Sequence, residues 1–163
     1  MSGDNILMSV TFDVRALTVY DVLGRHGDRI ISELEVLRAI LSDNGMPLTK
    51  ERILWVVRTG VTKIYVATEH TEMETDYQPI IGMISLCISV QIQTGKAWGE
   101  DLVVLPTYRN NGVGEMLLLK IIHAAEEEGI VNLDVTSSYK RKSAAQICYA
   151  LGFVDRESRL MRL

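Results

Sequence analysis

The stretch Val103-Val104-Leu105-Pro106-Thr107-Tyr108-Arg109-Asn110-Asn111-Gly112-Val113-Gly114 decides how the chain is read. It passes from an apolar strand, through a proline-marked turn, into the start of a helix that bears two glycines. The first N–H groups of a helix have no intrahelical partner and carry the positive end of its dipole, so they bind phosphate oxygens. Glycine lets such a backbone come close to a ligand, and Arg109 adds a permanently charged guanidinium at the rim. The turn is a candidate diphosphate cradle.

Two other glycine-loop readings fail on the residues. A dinucleotide fingerprint could begin at Gly112, with Asp134 near the place of a ribose-binding acid, but Leu117 stands where the third glycine belongs. The residues from Pro106 to Asn111 also lengthen a turn that has to be tight. A P-loop is excluded because no Gly-Lys-Ser/Thr follows.

Working outward, Ala97 to Leu105 reads as the strand that feeds this turn, and Gly112 to Glu128 as an amphipathic helix. Val113, Leu117, Ile121 and Ala124 make its apolar stripe, Lys120, His123 and Glu127 face the opposite way, and Gly129 ends it. Val131 to Val135 is strand-like, residues 143–151 form a short helix stopped by Gly152, and the tail to Leu163 can add one or two strands. Upstream, residues 7–16 suggest a first strand. Residues 19–41 suggest two helices broken at Gly24-Arg25-His26-Gly27, and Thr49 can cap a third helix. Residues 63–68 and 84–92 form an antiparallel pair in which Ile84, Leu86 and Ile88 share one face and Ser85, Cys87 and Ser89 the other. The acidic stretch 69–78 between them is read as a solvated loop.

Composition sets the frame. With 163 residues, 47% hydrophobic and 23% charged, and only 3 prolines, one domain with a sizeable core is expected over residues 1–163. Lys plus Arg is 17 against 21 for Asp plus Glu, a net charge of −4, which argues against a general electrostatic nucleic-acid binder. Cys87 and Cys148 are too few for a disulfide framework and sit in apolar surroundings, as reduced thiols do. No stretch is long and apolar enough for a membrane span, and the first residues lack the basic region of a signal peptide, so a cytoplasmic protein with no membrane partner is expected. His26, His70 and His123 lack ligand spacing, so no metal is expected.

From Trp98 to Phe153 the chain resembles the GNAT superfamily of acetyl-CoA-dependent N-acetyltransferases. The family's Q/R-x-x-G-x-G/A is met by Arg109-Asn110-Asn111-Gly112-Val113-Gly114, and its preceding V-x-P-x-Y-R by Val104 to Arg109. Its later N/R-x-x-A and L-G-F are similar to Arg141-Lys142-Ser143-Ala144 and Leu151-Gly152-Phe153. One such motif is weak; three linked in order are far more specific. The resemblance implies an α/β (α+β) fold: a mixed, mostly antiparallel twisted sheet flanked by helices and splayed where acetyl-CoA lies. It further implies that the backbone of Val104 and Leu105 pairs with the pantetheine arm and that amides from Asn110 to Gly114, with Arg109, hold the pyrophosphate. Arg141, between Lys140 and Lys142, either meets a CoA phosphate or belongs to a solvated helix start.

The chemistry implied is direct attack of a neutral amine on the thioester, which needs a base, an acid for the leaving thiolate, and oxyanion support from a strand amide near Val104. Glu100 is the candidate base, with a merely substrate-binding carboxylate as its alternative. Strict alternation places Glu100 on one face with Trp98, Leu102 and Val104, and Asp101 on the other with Val103 and Leu105. Family members carry the acid, a tyrosine, four residues before the glycine of L-G-F. Here that place holds Cys148, and Tyr149 is one residue on, a rotation of about 100° on a helix. Cys148, Tyr149 or water therefore remain as the proton donor. The acceptor is expected to be a primary amine, a small molecule or amino sugar rather than a peptide, and the family also admits a homodimer. A noncatalytic acyl-CoA-binding module is the alternative reading.

Overall fold

The computed structural model describes residues 10–42, 45–70, 76–90, 95–136 and 142–156. Among them a single five-stranded sheet forms in the order β1-β2-β3-β4-β5. Its strands are β1 (Thr11–Ala16), β2 (Thr62–His70), β3 (Ile80–Val90), β4 (Gly95–Val104) and β5 (Asn132–Val135). The first four pair antiparallel, and β5 joins β4 in parallel. The mixed, mostly antiparallel sheet expected from the resemblance is what the chain forms.

The helices cover both faces. On one lie α1 (Val19–Leu23), α2 (Gly27–Leu41) and α3 (Lys50–Thr59); on the other lie α4 (Val113–Glu127) and α5 (Lys142–Ala150). Local chemistry sets their ends. Thr18 and Asp21 form a reciprocal capping box at α1, Thr49 accepts from the Arg52 amide at α3, and Gly60 closes α3 in the left-handed conformation at φ 67°. The break at residues 24–27 has a steric cause. A Cβ on Gly27 would lie 2.0 Å from the Val22 carbonyl oxygen, so the two helices turn against each other only over a glycine.

The pleat sorts apolar residues into two cores. Tyr65, Ala67, Ile84, Leu86 and Ala97 face α4, whose Val113, Leu117, Leu118 and Ile121 are all but fully buried. Ile64, Val66, Met83 and Val103 face α1–α3, where Val22, Leu34 and Leu37 are fully buried. Glu33 of α2 seals that side: one carboxylate oxygen accepts from the Tyr77 hydroxyl at 2.5 Å and from the Ile80 amide at 2.9 Å, fixing where β3 begins. This bond starts β3 at Ile80, four residues before the alternation at Ile84 announces it. Residues 153–156 form no strand, and the rest of the tail lies outside the described residues.

Gly99 is the pivot of the sheet. A Cβ there would lie 2.6 Å from Ile121 Cδ1 of α4 and 3.2 Å from Val135 Cγ2 of β5, so strand, helix and neighbouring strand converge at one point. Gly99→Ala is expected to destabilise the protein by about 1–3 kcal/mol through overpacking, read as a lower urea midpoint. Gly95→Ala, whose Cβ would meet only Ile130 at 3.4 Å, is expected to lose less.

Candidate active site

Pairing of β4 with β5 stops at Gly99 opposite Val135, with one last bond from the Thr136 amide to the Gly99 carbonyl at 3.2 Å. β4 runs on to Val104 with no described strand beside it on that side. The Leu105 amide donates to Ile81 of β3 at 2.8 Å. The alternation of antiparallel pairing therefore turns the N–H and carbonyl of Val104 the other way, toward the open side. Of the two residues expected to offer a backbone edge there, Val104 turns its amide to the open side while its carbonyl accepts from Arg109, and the Leu105 amide is engaged with β3.

A short 3-10 turn, Pro106–Tyr108, carries the chain from β4 to α4. Tyr108 anchors it: its hydroxyl donates to the Glu69 carboxylate of β2 at 2.6 Å, and its ring meets Phe12 of β1 edge-on with centroids 6.3 Å apart. The bond to Glu69, and then burial, push the Tyr108 phenol up. Arg109 Nε donates to the Val104 carbonyl at 3.2 Å, and the Asn111 amide group donates to the Arg109 carbonyl at 3.2 Å. Asn110 and Gly112 are left-handed, φ 63° and 79°, and curve the main chain as in anion-binding concavities. The first bond of α4 is from Met116 to the Gly112 carbonyl. Among the described residues, the N–H groups of Asn110, Asn111, Gly112, Val113, Gly114 and Glu115 have no protein partner. Gly114 lies between Ile147 of α5 and Val104 of β4, its built Cβ 3.4 Å and 4.0 Å from their side chains. The stretch read from the sequence as a cradle thus carries a run of amides without a partner among the described residues, next to the Val104 end of β4.

The faces of β4 differ from simple alternation. Met83 pairs with Val103 but Ser85 pairs with Glu100, so β4 carries one extra residue in a bulge. Asp101 lies in that bulge at φ 58°, left-handed for a residue with a Cβ. Parity reverses across it. Leu102 and Val104 pack on the α4 side with Ala97, while Trp98 and Glu100 lie on the α1–α3 side. Asp101 also reaches that side, where its carboxylate accepts from Ser85 Oγ at 3.2 Å. The expectation that Glu100 shares a face with Leu102 and Val104 and opposes Asp101 is corrected: the bulge leaves both acidic residues on the α1–α3 side. Cys87, on β3 opposite Trp98, senses both. Burial pushes its thiol up, the Thr62 hydroxyl 3.6 Å away counteracts, and the Glu100 and Asp101 charges push it further up.

The proton-donor candidates lie elsewhere on α5. Cys148 is buried in the α4 core, which raises its thiol, and its carbonyl accepts from Leu151 and Phe153. Tyr149 is half-exposed, and its hydroxyl lies 2.9 Å from both carboxylate oxygens of Asp155. Arg141 lies outside the described residues. No three His, Cys, Asp or Glu side chains gather as a metal site among the described residues, and no described helix is long and apolar enough to cross a membrane. The residues that sequence reasoning missed are Ser85, Thr62 and Glu69. Ser85 is marked in the sequence by its place with Cys87 and Ser89 on the polar face of the strand.

Over residues 42–153 the sequence matches the Acetyltransferase (GNAT) family. The chain belongs to this family. No curated protein matches the sequence. Among solved structures, it is similar to a Trypanosoma brucei acetyltransferase at 24% identity, with a TM-score of 0.71 over 94% of this chain and 99% of that one. It is similar to an aminoglycoside N-acetyltransferase in complex with CoA at 15% identity, TM-score 0.72, over 97% of both chains. It is also similar to glucosamine-6-phosphate N-acetyltransferase from Arabidopsis thaliana at 18% identity, TM-score 0.67, over 94% of this chain and 98% of that one. At these identities the likeness is one of fold.

Two buried or half-buried thiols with raised pKa hold little thiolate at neutral pH. Cys87 and Cys148 are therefore expected to react with iodoacetamide at pH 7.5 more slowly than free cysteine, and to reach that rate on unfolding in urea, as followed by mass spectrometry.

Proposed function

We propose that the chain is an acetyl-CoA-dependent N-acetyltransferase acting on a primary amine. The observation that carries this is the run of unpartnered amides from Asn110 to Glu115 beside the open edge of Val104. A pyrophosphate fits the first and an extended pantetheine arm the second, which together describe CoA. In this reading Arg109 borders the pyrophosphate, Val113 and Gly114 present amides to it, and Arg141 meets a CoA phosphate.

The reaction is direct. The amine nitrogen attacks the thioester carbonyl, the new C–N bond forms as the C–S bond breaks, and the CoA thiolate leaves and takes up a proton. Glu100, on the face where the bulge also places Asp101, receives the proton of the attacking amine, and a β4 amide at Val104 or beside it supports the developing oxyanion. Two carboxylates on one face suit a cationic acceptor, which favours a small amine or amino sugar over a peptide. Two of the structural neighbours are named for such acceptors. Water or Cys148 supplies the thiolate's proton in preference to Tyr149, whose hydroxyl is engaged by Asp155. That engagement also favours a second reading, a module that binds acyl-CoA without turnover. The remaining expectations, a cytoplasmic protein without nucleic-acid or membrane partners and open to forming a homodimer, stand as part of the proposal.

Turnover of acetyl-CoA with a panel of amines, read by free-thiol release, decides between transfer and binding alone. Glu100→Gln is expected to lower kcat/KM roughly 100-fold at neutral pH and to shift the rise of the pH–rate profile upward; an unmoved profile removes Glu100 from the role of base. Gly112→Val, which puts a β-branched side chain at φ 79°, is expected to weaken CoA binding at least tenfold by calorimetry; unaltered affinity would contradict the cradle.

A further inference from the structure

Ser85 and Thr68 are the two buried polar residues among the described ones. A hydroxyl removed from water needs a partner, and Ser85 Oγ finds it in Asp101 Oδ2, 3.2 Å away on the adjacent strand. Asp101 in turn is one of two non-glycine residues with positive φ among the described ones, the other being Asn110 in the cradle. Aspartate tolerates that conformation when its side chain is held by a hydrogen bond. Here the bond comes from the strand across the bulge, so it pins both the carboxylate and the left-handed step beneath it. The register shows the same lock: the extra residue of β4 falls between the pairs Met83–Val103 and Ser85–Glu100.

The step separates two groups that have to act together. Glu100 hangs immediately before it, and the Leu102–Val104 stretch, with the backbone edge turned to the open side, follows immediately after. A change at Asp101 rotates one relative to the other. Reacting groups tolerate little of this, since misplacement by about 1 Å can cost 100-fold in rate.

We propose that Ser85 is a positioning residue of the transfer site, acting through Asp101 to hold the left-handed step that sets the carboxylate of Glu100 against the backbone edge of Val104. This rests on reading the chain as an acetyl-CoA-dependent transferase. Ser85 touches neither substrate in this role; it fixes the distance between the group that takes the amine's proton and the amide that supports the oxyanion.

A double-mutant cycle tests it. Ser85→Ala is expected to lower kcat ten- to a hundredfold while the KM for acetyl-CoA and the calorimetric Kd for CoA stay within threefold, and Ser85→Thr, which restores the hydroxyl, to recover most of that loss. Asp101→Gly keeps the step, because glycine adopts it freely, but removes the carboxylate that Ser85 grips. In that background Ser85→Ala is expected to add less than a twofold further loss. A wild-type kcat in Ser85→Ala, or an equal loss in both backgrounds, overturns the proposal. If the wild-type protein binds CoA but transfers to no acceptor, the transferase reading fails separately. The clasp is then judged by NMR of the CoA-bound protein, where Ser85→Ala must move the amide signals of Asp101 and Leu102, and unmoved signals reject it.

Discussion

The end of parallel pairing at Gly99 is the constraint on which the rest of the structure depends. Up to that residue β4 is an ordinary interior strand, hydrogen-bonded on both sides and covered by α4. Beyond it β3 is the one described strand still beside β4. A backbone edge left unpaired in an interior position carries a cost in unsatisfied polar groups unless something completes it. In the proposed reading the coenzyme completes it at Val104, and the helix start that follows holds six amides with no partner among the described residues. The amide of Val104 and those of the helix start are main-chain donors, so the proposed CoA site is built from backbone more than from side chains.

That design also explains how much was legible in the sequence. Backbone sites are announced by the residues that permit them, and Gly112, Gly114 and Pro106 are such residues; the strand, turn and helix around them were readable at once. Helix breaks and caps were readable for the same reason, at Gly24 to Gly27 and at Thr49. The faces of β4 were not. Period-2 reasoning assumes a regular strand, and nothing in Glu100-Asp101-Leu102 declares that Asp101 adopts a left-handed conformation, because the bond that stabilises it comes from Ser85 on another strand. One inserted residue reverses the parity of everything after it, so a local rule gave a wrong answer for a non-local reason. The start of β3 was hidden in the same way, since it is set by Glu33 of α2.

The proton donor marks a different boundary. Counting from Gly152 placed Cys148 and Tyr149 as alternatives, and the structure shows where each goes: one into the α4 core, the other outward to Asp155. A leaving thiolate is the easiest of the reacting groups to protonate from solvent, whereas deprotonating an ammonium near neutral pH requires a placed acceptor. In the proposed reaction the side-chain chemistry accordingly falls on the face that holds Glu100, Asp101, Ser85 and Cys87, and is sparse on α5.

Tyr108 stands at the junction of the cradle and the sheet. Its hydroxyl is held by Glu69 and its ring by Phe12, so the loop proposed to receive CoA is fastened to β2 and to β1 at the margin of the sheet. On the proposed reading, a molecule settling on that loop is linked to β1 through Tyr108 without touching it. Occupancy of the proposed site would then be legible at a distance, as slower solvent exchange along β1.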